Sequence, residues 1–143
     1  MDIRVVKESI FEIESDCIIY FVDNSFSSDS SLELISNAGN RICDVFSKIS
    51  SLPTGDFKVV PAFNLGTSYV VLTVIPEIIS SREDEKFLEN IFERIMEAFE
   101  DYEFNTVAID VSRLEKNFSI KHSQIFKDFL RKTNKDLVFF LCK

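Results

Sequence analysis

The stretch Asp16–Ser31, DCIIYFVDNSFSSDSS, decides how the rest of the chain is interpreted. Its first part, Cys17–Val22, is an apolar run without alternation, which predicts a strand that is covered on both faces. The run then gives way to a loop of Asp, Asn and Ser at the carboxyl end of the predicted strand. Because open α/β sheets bind ligands at the carboxyl ends of their strands, we expect any site to lie beside this loop.

Length and charge restrict the class of protein. The chain has 143 residues, of which 45% are hydrophobic and 28% charged, as is typical of one globular domain. We therefore expect a single domain over residues 1–143. The net charge of −8 argues against nucleic acid or an anionic membrane surface as a partner, because both require a basic protein surface.

The cysteines, the glycine motifs and the hydropathy of the chain argue against metal, cofactor and membrane binding. Cys17, Cys43 and Cys142 are widely spaced and have no paired Cys or His, so no metal site is expected. Phosphate-binding and dinucleotide-binding glycine motifs are also missing, and we expect no cofactor. The N-terminus has no signal-peptide pattern, and no apolar run approaches the length of a membrane span. These features predict a cytoplasmic protein with no membrane partner.

Outside the opening stretch, predicted strands and helices alternate. The order β, β, α, β, β, α, β, α, β predicts a largely parallel sheet that is covered on both sides. The predicted helices are Leu32–Ile49, with Gly39 as an interruption, Ser81–Tyr102 and Ile120–Lys132. Ser80 and Ser119 are the predicted N-caps of the second and third helices. Ser112–Phe118 is predicted to be a loop.

Several local strings carry a resemblance to a known family. The most specific is Thr54–Pro76, TGDFKVVPAFNLGTSYVVLTVIP. It resembles a segment of the macrodomain family, the ADP-ribose-binding fold. The matching positions are Gly55, Leu65, Val70, Val71, Val74 and Pro76. Asn37-Ala38-Gly39 and Asp16–Ile19 are similar to two further strings of the family, and the order of elements agrees over almost the whole chain.

The resemblance implies a three-layer α/β/α domain with a mixed, largely parallel sheet, and ADP-ribose or a related nucleotide as ligand. The motifs that contact the ligand depart from the family pattern. Ser9 stands where the family has the Asp of a G-D-I string that contacts adenine. The last Asn of the family's N-A-A-N string, which contacts the distal ribose, corresponds to Asp23 or Asn24.

Both phosphate loops have also changed. The family's G-G-G loop corresponds to Ser27, Ser28, Asp29 and Ser30, and its G-x-x-G loop to Ser112–Phe118. Neither segment contains glycine, although glycine lets backbone amides approach a pyrophosphate. In the second loop, Ser112, Arg113 and Lys116 are the candidate phosphate contacts. Losing several charged hydrogen bonds at about 1.5–3 kcal/mol each would remove most of a micromolar affinity.

The leading hypothesis is a diverged macrodomain that is not an enzyme and acts as a binding or interaction module. Its partner is a protein or an altered nucleotide-like ligand. One alternative is an ADP-ribose binder or ADP-ribosyl hydrolase with an unconventional site. Asp23 or Asn24 would then position the distal ribose, while Ser27–Ser31 and Ser112–Lys116 would hold the phosphates. A further alternative is a structural homo-oligomer that is joined through exposed Phe side chains. The chain contains 15 Phe residues in total.

Four side chains leave questions for the structure. Asp23 and Asp110 form either a carboxylate pair for acid–base chemistry or two capping carboxylates, and capping is the preferred interpretation. His122, the only histidine, is expected at the surface. Phe26 lies in the loop after the central strand, and the sequence leaves open whether it fills the pocket there.

Overall fold

The computed structural model describes residues Met1–Lys143, in which a six-stranded sheet of order β1-β6-β5-β2-β4-β3 lies between helices. The strands are β1 (Asp2–Val6), β2 (Cys17–Phe21), β3 (Phe57–Pro61), β4 (Tyr69–Thr73), β5 (Thr106–Asp110) and β6 (Val138–Cys142). The helices are α1 (Asp29–Ala38), α2 (Arg41–Ile49), α3 (Arg82–Asp101), α4 (Val111–Asn117) and α5 (Ile120–Lys132).

Strand β2 lies inside the sheet, between β4 and β5, and is parallel to both. Its side chains alternate between two hydrophobic clusters. Cys17, Ile19 and Phe21 pack with residues of α3, α4 and α5. Ile18 and Tyr20 pack on the opposite face, with residues of α1 and α2. A strand that is buried on both faces needs no polar alternation, which explains the continuous apolar run and confirms the prediction from it.

The sheet is mixed because β3 alone runs antiparallel, paired with β4. All the other pairings are parallel. With helices on both faces, the chain is a three-layer α/β/α domain, as the sequence and the resemblance predicted. No helix combines the length and the apolar character that crossing a membrane requires.

The first predicted helix, Leu32–Ile49, is two helices in the structure. Gly39 ends α1 with a φ of 96°, and its N–H donates to the Ile35 carbonyl. A Cβ at this position would lie 2.7 Å from the Asn64 side-chain nitrogen. The glycine therefore provides both the left-handed backbone and the close approach that end the helix. The interruption predicted at Gly39 divides the single predicted helix into two.

The prediction that Ser112–Phe118 is a loop was wrong, because the chain forms α4 directly after β5. Asp110 caps this helix, with its carboxylate accepting a hydrogen bond from the Arg113 amide at 3.1 Å. Val111 and Leu114, three residues apart, bury one face of the short helix. The N-cap of α3 is Ser81, one residue after the predicted Ser80, whereas Ser119 caps α5 as predicted.

Candidate functional site

A cleft of about 570 Å³ lies at the carboxyl ends of β2 and β4. One wall is the loop from Val22 to the start of α1, and a second is the segment Val74–Glu77 after β4. Asn117 and Phe118, at the end of α4, form the third wall. The cleft therefore lies at the carboxyl ends of the strands, beside the loop where the sequence predicted a site.

The Asp23 carboxylate organises the loop after β2. Its Oδ1 accepts hydrogen bonds from the Ser28 amide at 3.0 Å and the Ser31 hydroxyl at 2.6 Å. Its Oδ2 accepts from the Ser27 amide at 2.9 Å and from the hydroxyls of Ser27 and Ser25 at 3.1 and 3.2 Å. Partial burial raises the pKa of Asp23, but the Ser31 hydroxyl and the two amides outweigh it and hold the pKa well below its usual range.

Asn24 anchors the same loop to the segment before β3. Its side-chain amide donates to the Leu52 carbonyl at 2.8 Å and to the Thr54 hydroxyl at 3.3 Å. The backbone completes the link, since the Leu52 amide donates to the Asn24 carbonyl at 2.9 Å. The side-chain amide of Asn24 is therefore engaged in holding the wall of the cleft.

The remaining residues of the predicted first phosphate loop begin α1. Ser28 is the N-cap, and its hydroxyl oxygen accepts from the Ser31 amide at 3.2 Å. Asp29 is exposed in the first turn. The Ser30 hydroxyl donates to the Tyr20 hydroxyl at 3.2 Å, and Tyr20 in turn donates to the Ser30 carbonyl at 2.6 Å. The Ser31 amide and the hydroxyls of Ser28 and Ser30 thus have internal partners.

The charged groups that line the cleft are all acidic: Asp23, Asp29 and Glu77. No Lys, Arg or His side chain belongs to its lining. Like charges repel across a partly desolvated cleft more strongly than in bulk water. The lining therefore offers no opposite charge to an anion.

Three predicted phosphate contacts, Ser112, Arg113 and Lys116, lie on α4 and do not line the cleft. Arg113 instead forms a bidentate ion pair with Glu33 of α1, at 2.8 and 2.6 Å. The hydrogen bonds to Glu33 raise the pKa of Arg113, and the hydrogen bonds from Arg113 lower the pKa of Glu33. The Nε atom of Arg113 lies 3.3 Å from an Asp110 carboxylate oxygen and forms an ion pair without hydrogen-bond geometry.

The Arg113 guanidinium also closes the space between α1 and α4. It lies 4.9 Å from the centre of the Phe11 ring and 5.9 Å from that of Tyr20. The cavity that remains between Ile10, Ser30 and Arg113 holds only about 10 Å³, the room of a single water molecule. Ser9, in the place of the family's adenine-contacting Asp, does not line the cleft, and its hydroxyl accepts from the Phe11 amide at 3.2 Å.

Two questions left by the sequence now have answers. Phe26 does not fill the cleft, because its ring stacks on Phe46 of α2 with centroids 4.4 Å apart and an interplanar angle of 7°. Asp23 and Asp110 each accept backbone amides, which agrees with the preferred interpretation of capping carboxylates.

The expectation that His122 lies at the surface was wrong, because its exposed fraction is 1%. Nε2 donates to the Pro76 carbonyl at 2.7 Å, since a carbonyl can only accept. Nδ1 lies 2.6 Å from the Ser119 hydroxyl, which then donates to it. His122 therefore fixes Pro76, which forms part of the cleft wall.

Sequence reasoning missed Glu77 and Thr54 as parts of the cleft, whereas Phe118 ends the segment that was predicted to be the second phosphate loop. Ligands bind at the carboxyl ends of strands, and this applies to β4 as well as to β2. Glu77 could therefore have been found as the acidic residue that follows β4. Thr54 is placed by tertiary packing, and no local pattern marks it.

Comparison with known proteins agrees with this architecture. A family model described as Macro domain matches residues 22–111, more than half of the chain. The macro domain of ganglioside induced differentiation associated protein 2 superposes with a TM-score of 0.77 at 18% identity, covering 99% of this chain and 77% of that one. A comparison with curated protein sequences finds no match.

Two further solved structures are similar. The Trypanosoma brucei macrodomain in complex with ADP-ribose has a TM-score of 0.77 at 14% identity, covering 98% of this chain and 63% of that one. A mutant of the Oceanobacillus iheyensis macrodomain with ADPR has a TM-score of 0.73 at 18% identity, covering 96% and 83%. At these identities the likeness establishes the fold alone.

Proposed function

This chain belongs to the macro domain family, and we propose that it is a diverged member that acts as a binding or interaction module. In this proposal residues 1–143 form one domain without hydrolase activity, and the ancestral site no longer binds ADP-ribose. The partner is a protein that contacts the acidic cleft or the loops around it.

One observation carries the proposal. The amides of Ser27 and Ser28, in the place of the family's first phosphate loop, already donate to the Asp23 carboxylate at 2.9 and 3.0 Å. A pyrophosphate would have to displace this carboxylate to reach them. It would also have to approach Asp29 and Glu77, with no cation in the cleft to offset the repulsion.

The opposite side of the ancestral site gives independent support. The Glu33–Arg113 ion pair spans from α1 to α4, and Arg113 packs against Phe11. It leaves about 10 Å³ beside Ile10, too little for a nucleobase. Arg113 is a cation of α4, and its guanidinium is already paired with the Glu33 carboxylate.

A specific observation also favours the alternative, an ADP-ribose binder with an unconventional site. The cleft volume of about 570 Å³ falls within the range of small-molecule pockets. Solved structures of the same fold include complexes with ADP-ribose and with ADP. In this alternative, Asn24 and Ser30 would contact the sugar and phosphate in place of glycine-loop amides.

A calorimetric titration with ADP-ribose, with AMP and ADP as controls, separates the two. The proposal predicts no saturable heat below about millimolar ligand. One-to-one binding at micromolar concentration, selective for ADP-ribose, would overturn it and establish the alternative. Asn24→Ala and Ser30→Ala would then be titrated, and an unconventional site formed by these two residues predicts at least about tenfold weaker binding for each.

A further inference from the structure

Strand β1 leaves one side of its backbone without a partner strand. It is the first strand of the sheet and pairs with β6 alone. The Asp2 amide donates to the Leu137 carbonyl at 2.9 Å, and the Val6 carbonyl accepts from the Lys143 amide at 3.2 Å. In a parallel ladder the residues at even positions therefore turn their backbone groups toward β6, and Ile3 and Val5 present theirs to the open edge.

The side chains on this edge are also apolar and exposed. Ile3 and Val5 lie on one face of β1, with exposed fractions of 41% and 61%, and Met1 is 36% exposed. An open edge with exposed apolar side chains is a template for pairing with another strand. The other edge of the sheet, β3, carries Lys58 and Pro61, and proline lacks the amide that a new ladder would need. The two edges are thus unequal, and β1 is the one able to accept a strand.

The charges on β1 identify the occupant. Asp2 and Arg4 flank Ile3 and form an exposed ion pair at 2.7 Å within the strand. If a second β1 aligns antiparallel with Ile3 opposite Ile3, each Asp2 faces the Arg4 of the other copy, and each Val5 faces Met1. We propose that β1 pairs with β1 of a second copy in this register, which gives a two-fold homodimer with one continuous sheet.

Hydrogen bonding and charge both select this register. Ile3 pairs with its own copy through the two outward-facing backbone groups, and the Val5–Met1 pairs extend the ladder on either side. The next register with outward groups aligned would place Arg4 directly opposite Arg4. Like charges directly opposite each other destabilise an antiparallel pair, and opposite charges stabilise it. A strand whose charge pattern is its own complement thus fits a second copy better than a strand of unrelated sequence.

Charge reversal provides the test, with sedimentation equilibrium of the 143-residue chain as the readout. Asp2→Arg and Arg4→Asp each place like charges opposite each other, and each should raise the dimer dissociation constant at least about tenfold. When the two variants are mixed, every reversed charge faces an opposite charge across the interface. The mixture should regain dimerisation, although the ion pair within each strand stays broken.

The matched control is Lys58→Glu on β3, which changes a charge on the other edge and should leave the dissociation constant unchanged. Circular dichroism verifies that every variant is folded. A strictly monomeric wild type at about 0.5 mM would overturn the proposal. Unchanged association in both single variants, no recovery in the mixture, or loss of the dimer in Lys58→Glu would each overturn it as well.

Discussion

The segments that follow β2 and β5 each contain an aspartate whose carboxylate accepts backbone amides, but the surroundings of the two carboxylates differ. Both strands end at the same end of the sheet, and in both segments an aspartate accepts backbone amides, just before α1 in one and in the first turn of α4 in the other. After β2, Asp23 accepts two amides and three hydroxyls and holds open one wall of a cleft. After β5, Asp110 accepts one amide, and Arg113 from the same turn closes the gap to α1. In both places an internal carboxylate is the acceptor for amides close to the start of a helix.

The comparison indicates that the two segments differ in how much depends on their aspartate. Asp23 has no cation beside it and is stabilised by neutral donors alone. Asp110 shares its role with the ion pair between Arg113 and Glu33. The loop after β2 should therefore be the more sensitive to loss of its carboxylate.

The largest expected effect is that of Asp23→Ala. The change leaves the amides of Ser27 and Ser28 and the buried Ser31 hydroxyl without their acceptor, and should lower the free energy of unfolding by about 3 kcal/mol. Urea denaturation measures it. Asp29→Ala, an exposed acidic residue of the same loop, is the control and should change stability by less than about 1 kcal/mol. Equal effects of the two substitutions would show that Asp23 does not organise the loop.

The pH dependence of stability should report the same carboxylate. The folded state holds the pKa of Asp23 below its ordinary value of 3.8, so its stabilisation is complete above that pH and is lost as the pH falls further. Between about pH 4 and pH 2, the wild type should lose stability more steeply than Asp23→Asn. Thermal unfolding at stepped pH values measures the difference, in which the contribution of Glu33 cancels. Parallel curves for the two proteins would contradict the assignment.

The Glu33–Arg113 ion pair should contribute less to the free energy of unfolding than the Asp23 carboxylate does. Its bidentate, partly buried geometry predicts a coupling energy of about 1.5 kcal/mol in a double-mutant cycle of Glu33→Gln and Arg113→Met. The coupling should weaken in high salt because part of the pair is exposed to solvent. As a control, the exposed pair of Arg131 and Asp128 should give about 0.5 kcal/mol or less. A coupling near zero for Glu33 and Arg113 would mean that the pair does not hold α4 against α1.

The smallest effect is expected at Asp110. Asp110→Ala removes the N-cap of α4 and should cost about 1 kcal/mol, whereas Asp110→Asn should cost only a few tenths because asparagine caps helices well. Chemical denaturation of both variants measures the difference. If Asp110→Ala cost as much as Asp23→Ala, the contrast between the two segments would be lost.

The layered sheet could be predicted because burial on both faces leaves a local mark. The unbroken run Cys17–Val22 and the helical spacing of α3 and α5 each follow from the surface that an element must bury. The break at Gly39 was visible as a single glycine, but its consequence depended on Asn64, far along the chain. Helix α4 was missed because seven residues offer too short a period to recognise.

The site was harder to predict than the fold for a related reason. The sequence identified Asp23 and the loop after β2 from their position at a strand end. It could not reveal that the Asp23 carboxylate turns into its own loop, nor that Arg113 meets Glu33 from a position 80 residues away. The burial of His122 likewise depends on Pro76, 46 residues earlier in the chain. Such contacts are decided by tertiary packing and leave no local pattern.

The most direct test of the central claim is nuclear magnetic resonance of the Ser27 and Ser28 amides, with and without ADP-ribose. The account predicts that both amides are protected from hydrogen exchange in the free protein, because Asp23 already accepts them. It further predicts that their chemical shifts stay unchanged when ADP-ribose is added to about 1 mM. Unprotected amides that shift and saturate at micromolar ADP-ribose would contradict it, because the loop would then be holding phosphate and not its own aspartate.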